Sequence, residues 1–148
     1  MLTVIIDARA GTEGLASLLA QLTAGAVDGI VREVRIVARP DQPGIDLLSE
    51  DMGADVHETL DAAGQAARCE LALVLNSDFR FRDGWIGALN AHLSEGGGPA
   101  RIVGLGAGGI LARGAEGALV ACSRVADAKG ADLKRLRRSL GFNARRVG

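Results

Sequence analysis

The residues best placed for chemistry stand where apolar runs stop. Leu71 to Leu75 is an uninterrupted apolar run that ends in Asn76, Ser77 and Asp78, and a short loop then leads to Gly84 and Trp85. Leu2 to Ile6 ends the same way in Asp7, with Arg9 just beyond, and Glu33 to Ala38 ends in Arg39. Side chains at the carboxyl ends of buried strands are where open α/β sheets meet their ligands. Other chemistries find little support. Cys69 and Cys122 stand apart without CxxC spacing, so both read as small buried hydrophobes and neither a zinc nor a redox motif is supported. His57 and His92 are isolated, with His92 on the exposed side of a helix, and no suitably flanked Ser or Cys completes a nucleophilic triad. Gly104, Gly106 and Gly109 fit G-x-G-x-x-G. The residues after them are too few for the helix a dinucleotide fingerprint needs, so the motif reads as a turn.

The elements that must carry these positions follow from periodicity. Leu2 to Ile6 is apolar and partly β-branched, as in a strand buried on both faces. Leu15, Leu18, Leu19 and Leu22 recur at helical spacing, predicting an amphipathic helix over 13–24. Glu33 to Ala38 predicts a second strand stopped by Pro40 and Pro43, Asp46 to Met52 a helix, and Ala54 to His57 a short strand. Thr59 to Arg68 predicts a helix capped by Thr59, and Leu71 to Leu75 the clearest strand. Asp83 opens a helix with Trp85, Ile86, Leu89 and Leu93 on one side, closed by Gly96 to Pro99. Strands at Arg101 to Leu105 and near Ala118 to Cys122, then a helix over about 131–140, complete the pattern. Alternation of this kind implies a three-layer α/β/α sandwich on a mainly parallel sheet. The loops at 7–14, 38–44 and 76–83 are then the ones that face a ligand.

Composition narrows the class. The chain has 148 residues, 48% apolar and 24% charged, which suits one soluble globular domain. Aromatics supply only 3%, so base-stacking platforms for nucleic acid are not expected. The net charge of −1 hides an asymmetry. Residues 124–148 hold eight Lys/Arg against two Asp/Glu, or +6, while residues 1–123 hold nine against sixteen, or −7. A basic segment of this kind meets anionic headgroups or phosphate, or simply forms a solvated helix face. The opening residues lack a basic region and a long apolar run, so neither a signal peptide nor a membrane span is expected, and the cysteine usage fits a cytoplasmic setting.

Taken together, the strand ending in Asn76-Ser77-Asp78, the Gly84-Trp85 pair, the opening Leu2 to Ile6 unit with its leucine-rich helix, and Val27 to Val37 resemble the nucleotide-sugar-binding half of a family 2 glycosyltransferase of GT-A type. The likeness covers residues 1–95 well and 96–148 loosely, as a truncated second half of the same domain ending in a basic helix. The resemblance implies transfer of a sugar from a nucleotide-diphosphate sugar, aided by a divalent cation, Mg²⁺ or Mn²⁺. It makes Asp78, matching the last position of the family's D-x-D, the metal ligand, and sets Asn76 near the ribose or phosphate. Asp7 stands for a carboxylate after strand one, and Arg9 and Arg39 supply positive charge to phosphates. The family's uracil-reading Asp is replaced by Ala38-Arg39-Pro40.

For the catalytic base, inverting members use an Asp ahead of a basic helix like residues 131–140. The aligned positions here are Ala128-Lys129, leaving Asp127 one residue early and Asp132 late as the candidates. A second reading, of a different class, is a catalytically silent binding or interaction module with the same fold. Possible further partners are an acceptor, a membrane surface met peripherally by Arg135, Arg137 and Arg138, and a second copy of the chain.

Overall fold

The computed structural model describes residues 1–106, 114–141 and 143–148. Among these residues seven strands form one sheet: β1 (Leu2–Asp7), β2 (Val31–Val37), β3 (Asp55–His57), β4 (Leu71–Asn76), β5 (Ala100–Gly104), β6 (Ala115–Ala121) and β7 (Arg145–Val147), in the order β3-β2-β1-β4-β6-β5-β7. Four of the six pairings are parallel, and only β6 runs antiparallel to its neighbours β4 and β5.

Helices cover both faces. The leucine stripe of α1 (Leu15–Val27), with α2 (Ile45–Met52) and α4 (Trp85–Ser94), packs on the face that presents Leu2, Val4, Ile6, Leu73 and Leu75. On the opposite face α3 (Leu60–Ala66), α5 (Cys122–Ala126) and α6 (Leu133–Ser139) cover Ile5, Val37, Ala72, Val74, Ala118 and Val120. Successive side chains of a strand point to opposite faces, and both faces are covered, which is why these strands read as continuous apolar runs. Leu15, Leu18, Leu19 and Leu22 are all buried, each contributing about 1.5–3 kcal/mol. At Gly64 a Cβ would meet the Ala126 backbone N at 2.7 Å, so α3 and α5 approach closely only because that side chain is absent.

The predicted three-layer arrangement is the observed one, and Thr59 caps α3 by accepting from the Ala62 N–H at 3.2 Å. Four local readings change. The strand placed near Ala118 to Cys122 begins earlier, at Ala115, and ends at Ala121, where α5 starts. Neither α5 nor β7 was expected, since five and three residues are too short to show a period. His92 is buried, not exposed: only 5% of its surface is accessible, and its Nε2 bonds to the Gly98 carbonyl at 2.8 Å, held by the turn that closes α4. Cys122 is buried as expected, whereas Cys69 is only half-buried because it lies in the link before β4. The G-x-G-x-x-G stretch starts at Gly104, the last residue of β5, and its remainder from Ala107 to Gly109 lies outside the described residues.

Candidate functional site

The sheet order determines where a ligand fits. From β1 the chain steps outward to β2 and β3, then returns to place β4 on the other side of β1. The helix leaving β1 (α1) and the helix entering β4 (α3) lie on opposite faces of the sheet, so the order changes direction at β1 and a crevice opens between the two strand ends. Asp7 and Asn76 are register partners there, each the last residue of its strand. The Ser77 N–H donates to the Asp7 carbonyl (3.3 Å) and the Ser77 hydroxyl to the Gly11 carbonyl (2.7 Å), tying the two exit loops together.

Three cavities of about 220, 260 and 300 Å³ meet in this crevice, and Asn76 lines all of them. One wall carries Asp7, Glu13 and Asp78. Another carries Asp132, Lys134 and Arg137 from the start and body of α6. The third cavity links Asp78 to Glu116 and Arg137.

Asp78 is exposed between two buried neighbours, Ser77 and Phe79. The loop behind it is braced by aromatics: Phe79 meets Phe81 edge-on with centroids 5.0 Å apart, and Phe81 stacks on Trp85 at 4.0 Å. Gln21 of α1 clamps the same loop, donating to the Phe81 carbonyl (3.3 Å) and accepting from its N–H (3.0 Å). The backbone at Asp78 is braced, while its carboxylate makes no hydrogen bond or ion pair among the described residues.

Asp7 is in the opposite state. Arg9 grips it with two bonds, Nε to Oδ1 at 2.9 Å and Nη2 to Oδ2 at 2.7 Å, and also donates to the Ala131 carbonyl at 3.3 Å. The Asp7 hydrogen bond outweighs burial and raises the Arg9 pKa further, with added help from the charges of Asp7, Asp132 and Asp61. These two residues thus form a strut between β1 and the α6 approach. Asp132 caps α6 by accepting from the Arg135 N–H (2.8 Å), and it lines the same cavity as Asp7 and Asn76.

Two sequence candidates stand elsewhere. Arg39 is exposed at the end of β2 and lines a separate cavity with Gln42, Ile45 and His57. Asp127 lines a third region with Arg124, Lys129 and Arg135 that shares no residue with the Asn76 cavities. Conversely, Glu13, Glu116, Lys134 and Arg137 reach the cleft without having been singled out for it. Glu13 sits in the 7–14 loop already expected to face a ligand, whereas no local signal marks the other three, because the tertiary fold alone brings β6 and α6 to the end of β4.

The donor set bears on a metal. Among the described residues no group of three His, Cys, Asp or Glu side chains could hold an ion. A cation that arrives with a diphosphate needs less, since phosphate oxygens and water complete its shell around one or two protein ligands. Asp78, with the Asn76 amide oxygen at the same cavity walls, fits that lesser requirement.

Comparison with known proteins gives a fold. The sequence matches no family model and no curated protein. Among solved structures, glucosyl-3-phosphoglycerate synthase from Mycobacterium tuberculosis, crystallised with Mn²⁺, uridine diphosphate and glucosyl-3-phosphoglycerate, aligns with a TM-score of 0.53 and 16% identity over 69% of this chain. Mannosyl-3-phosphoglycerate synthase from Rubrobacter xylanophilus aligns at 0.54 with 13% identity, again over 69%. The chain spans 42% and 38% of those two proteins. The 4-diphosphocytidyl-2C-methyl-D-erythritol synthase of Anaerococcus prevotii aligns at 0.58 with 11% identity, over 99% of this chain and 86% of its own. At such identities the likeness concerns architecture: this chain has the GT-A-like α/β fold found in sugar and cytidylyl transferases.

Proposed function

We propose that the cleft around Asn76 binds a nucleotide-diphosphate sugar together with a divalent cation, and that the protein transfers the sugar to an acceptor. The observation that carries this reading is that Asn76 and Asp78 stand together at the sheet's switch point, with Asp78 in no ion pair among the described residues. Asp78 and Asn76 would hold the cation, which supplies charge compensation for the departing diphosphate. Around it the chain's own groups have separate tasks. Asn76 can donate to a phosphate or ribose oxygen and accept from a hydroxyl. Of the two carboxylates beside the basic helix, Asp132 lines the cleft and would take the acceptor's proton, and Asp127, in its separate cavity, is set aside. The Asp7–Arg9 strut leaves neither partner free for the ligand, so both act by holding β1 and α6 in place.

The uracil and guanine forms of the donor are tested together. Calorimetric titration with UDP- and GDP-sugars, with and without Mn²⁺ or Mg²⁺, should show binding that needs the metal and is lost in Asp78→Ala. CTP belongs in the same series, given the cytidylyl transferase alignment. No response to any nucleotide would overturn the reading. A binding module without turnover is the second reading, favoured by one observation: the Asp132 carboxylate is already engaged as a helix cap. Metal-dependent binding without release of sugar to water or any acceptor would select it.

A further inference from the structure

The reading above leaves the diphosphate's counter-charge incomplete, since Arg9 is committed to Asp7 and Arg39 lines another cavity. We propose that Arg137, assisted by Lys134, is the phosphate-recognising group of the cleft, held ready by an arginine cluster around Glu116. This rests on the proposed nucleotide site and names the residue that reads its phosphates.

Three observations converge on Arg137. It lines two of the three cavities that Asn76 lines, one shared with Asp78 and the other with Asp7 and Lys134. Its Nε is buried without a hydrogen-bond partner among the described residues. That Nε is closed to solvent, as is the equally unmet Nε of Arg101, so it is the rest of the guanidinium, on a side chain 31% accessible, that can meet an incoming acceptor oxygen. Finally, the cluster is short of negative charge. Glu116 alone serves Arg101 (3.4 Å), Arg146 (3.2 Å) and Arg137 (4.0 Å), and Arg137 is the most loosely held. Arg101 is further occupied by the carbonyls of Arg137 and Gly141 at the end of α6, which fixes that helix end. Arg137 keeps one bond of its own, to the Glu116 carbonyl at 3.3 Å. Of the three guanidinium groups that share this carboxylate, Arg137 is the one that lines the cleft, where with Lys134 it offers a phosphate its positive partners.

A cation near Asp78 and phosphate oxygens near Arg137 would set the diphosphate along the cavity that both residues line with Asn76.

The probes are UDP, uridine and inorganic pyrophosphate, each with Mg²⁺, titrated by calorimetry. Arg137→Gln should weaken UDP and pyrophosphate about tenfold or more, the loss of a charge-assisted bond, while leaving uridine unchanged. Arg137→Lys should recover part of that loss. Glu116→Gln provides an independent arm: it removes the competing carboxylate, so UDP should bind more tightly, whereas a purely structural cluster would bind it less well. UDP binding that survives Arg137→Gln but fails in Asp78→Asn would overturn this assignment and leave the nucleotide site standing. Failure of the wild-type protein to bind UDP, GDP or CDP would remove both.

Discussion

The two walls of the cleft are built in different ways. On the acidic side, Asn76, Asp78 and the aromatic brace of Phe79, Phe81 and Trp85 all fall between positions 76 and 85. On the basic side, Lys134 and Arg137 come from a seven-residue helix near the far end of the chain, positioned by an Asp132 cap, the Arg9 strut and the Glu116 cluster. Both walls rest on buried apolar contacts, Leu133 and Leu136 in the case of α6, but the placing of Lys134 and Arg137 adds a set of polar ones. Apolar packing holds a group whatever the ionic strength, while exposed ion pairs are screened and individually weak. The acidic wall should therefore be stiff and the basic wall adjustable.

That contrast can be broken most sharply at Phe79, which is fully buried behind Asp78. Phe79→Ala should cost about 3–5 kcal/mol in urea unfolding and abolish metal-dependent nucleotide binding in whatever remains folded. A loss below about 1 kcal/mol would mean that the brace is not what holds the wall. Asp132→Ala tests the other side. Removing the α6 cap should cost only about 1 kcal/mol, yet weaken binding of UDP through the loosened helix. An unchanged affinity would show that α6 needs no cap to present Arg137.

A pH series separates the cleft from the neighbouring Arg39 cavity. His57 accepts a bond from buried Arg35 (3.0 Å), and burial first, then the Arg35 charge, lowers its pKa. The folded state thus disfavours protonated His57. Stability should be fully present above the ordinary value of 6.5 and should fall as the pH drops below it toward the lower folded pKa. Thermal unfolding between pH 7.5 and 5 should show this slope, reduced in His57→Gln, while UDP affinity in the His57 variant at pH 7.5 stays unchanged. A slope that persists in the variant would assign it to other groups. Glu33 adds to the same trend at lower pH. Burial pushes its pKa up, but bonds from Arg68 N–H, Thr3 and Arg35 prevail and bring it down, so its contribution disappears only as the pH falls below about 4.5.

The smallest effects belong to the outer face of α6. Arg135 and Arg138 are exposed and take part in no ion pair among the described residues, unlike Arg137, which turns inward. Replacing both by Ala should alter stability by no more than about 0.5 kcal/mol at each site. If this face meets a membrane, the wild-type protein should bind vesicles rich in anionic lipid with steep salt dependence, and the double variant should not. Salt-insensitive or absent binding would leave those charges to solvation alone. Among the described residues no helix is long and apolar enough to cross a membrane.

Much of this was legible from residue order because it rests on short-range pattern. Continuous apolar runs marked β1 and β4, the leucine period marked α1, and the abrupt polar ending at Asn76 and Asp78 marked the cleft. Arg39 and Asp127 could not be separated from Asp132 in this way. Each follows or precedes a regular element by a few positions, yet one lies a strand away from the cleft, another on the far side of α6, and the third inside it. His92 likewise looked exposed by helical phase, and a turn at Gly98 buried it.

The sequence by itself determined the layers, the strand ends and the place of Asp78 just past one of them, since burial and periodicity act between residues close in the chain. Only the tertiary structure decided the counter-charge. The insertion of β6 beside β4 and the docking of α6 across the strand ends bring Glu116 and Arg137 to Asn76, and long-range pairing of this kind leaves no trace in local spacing.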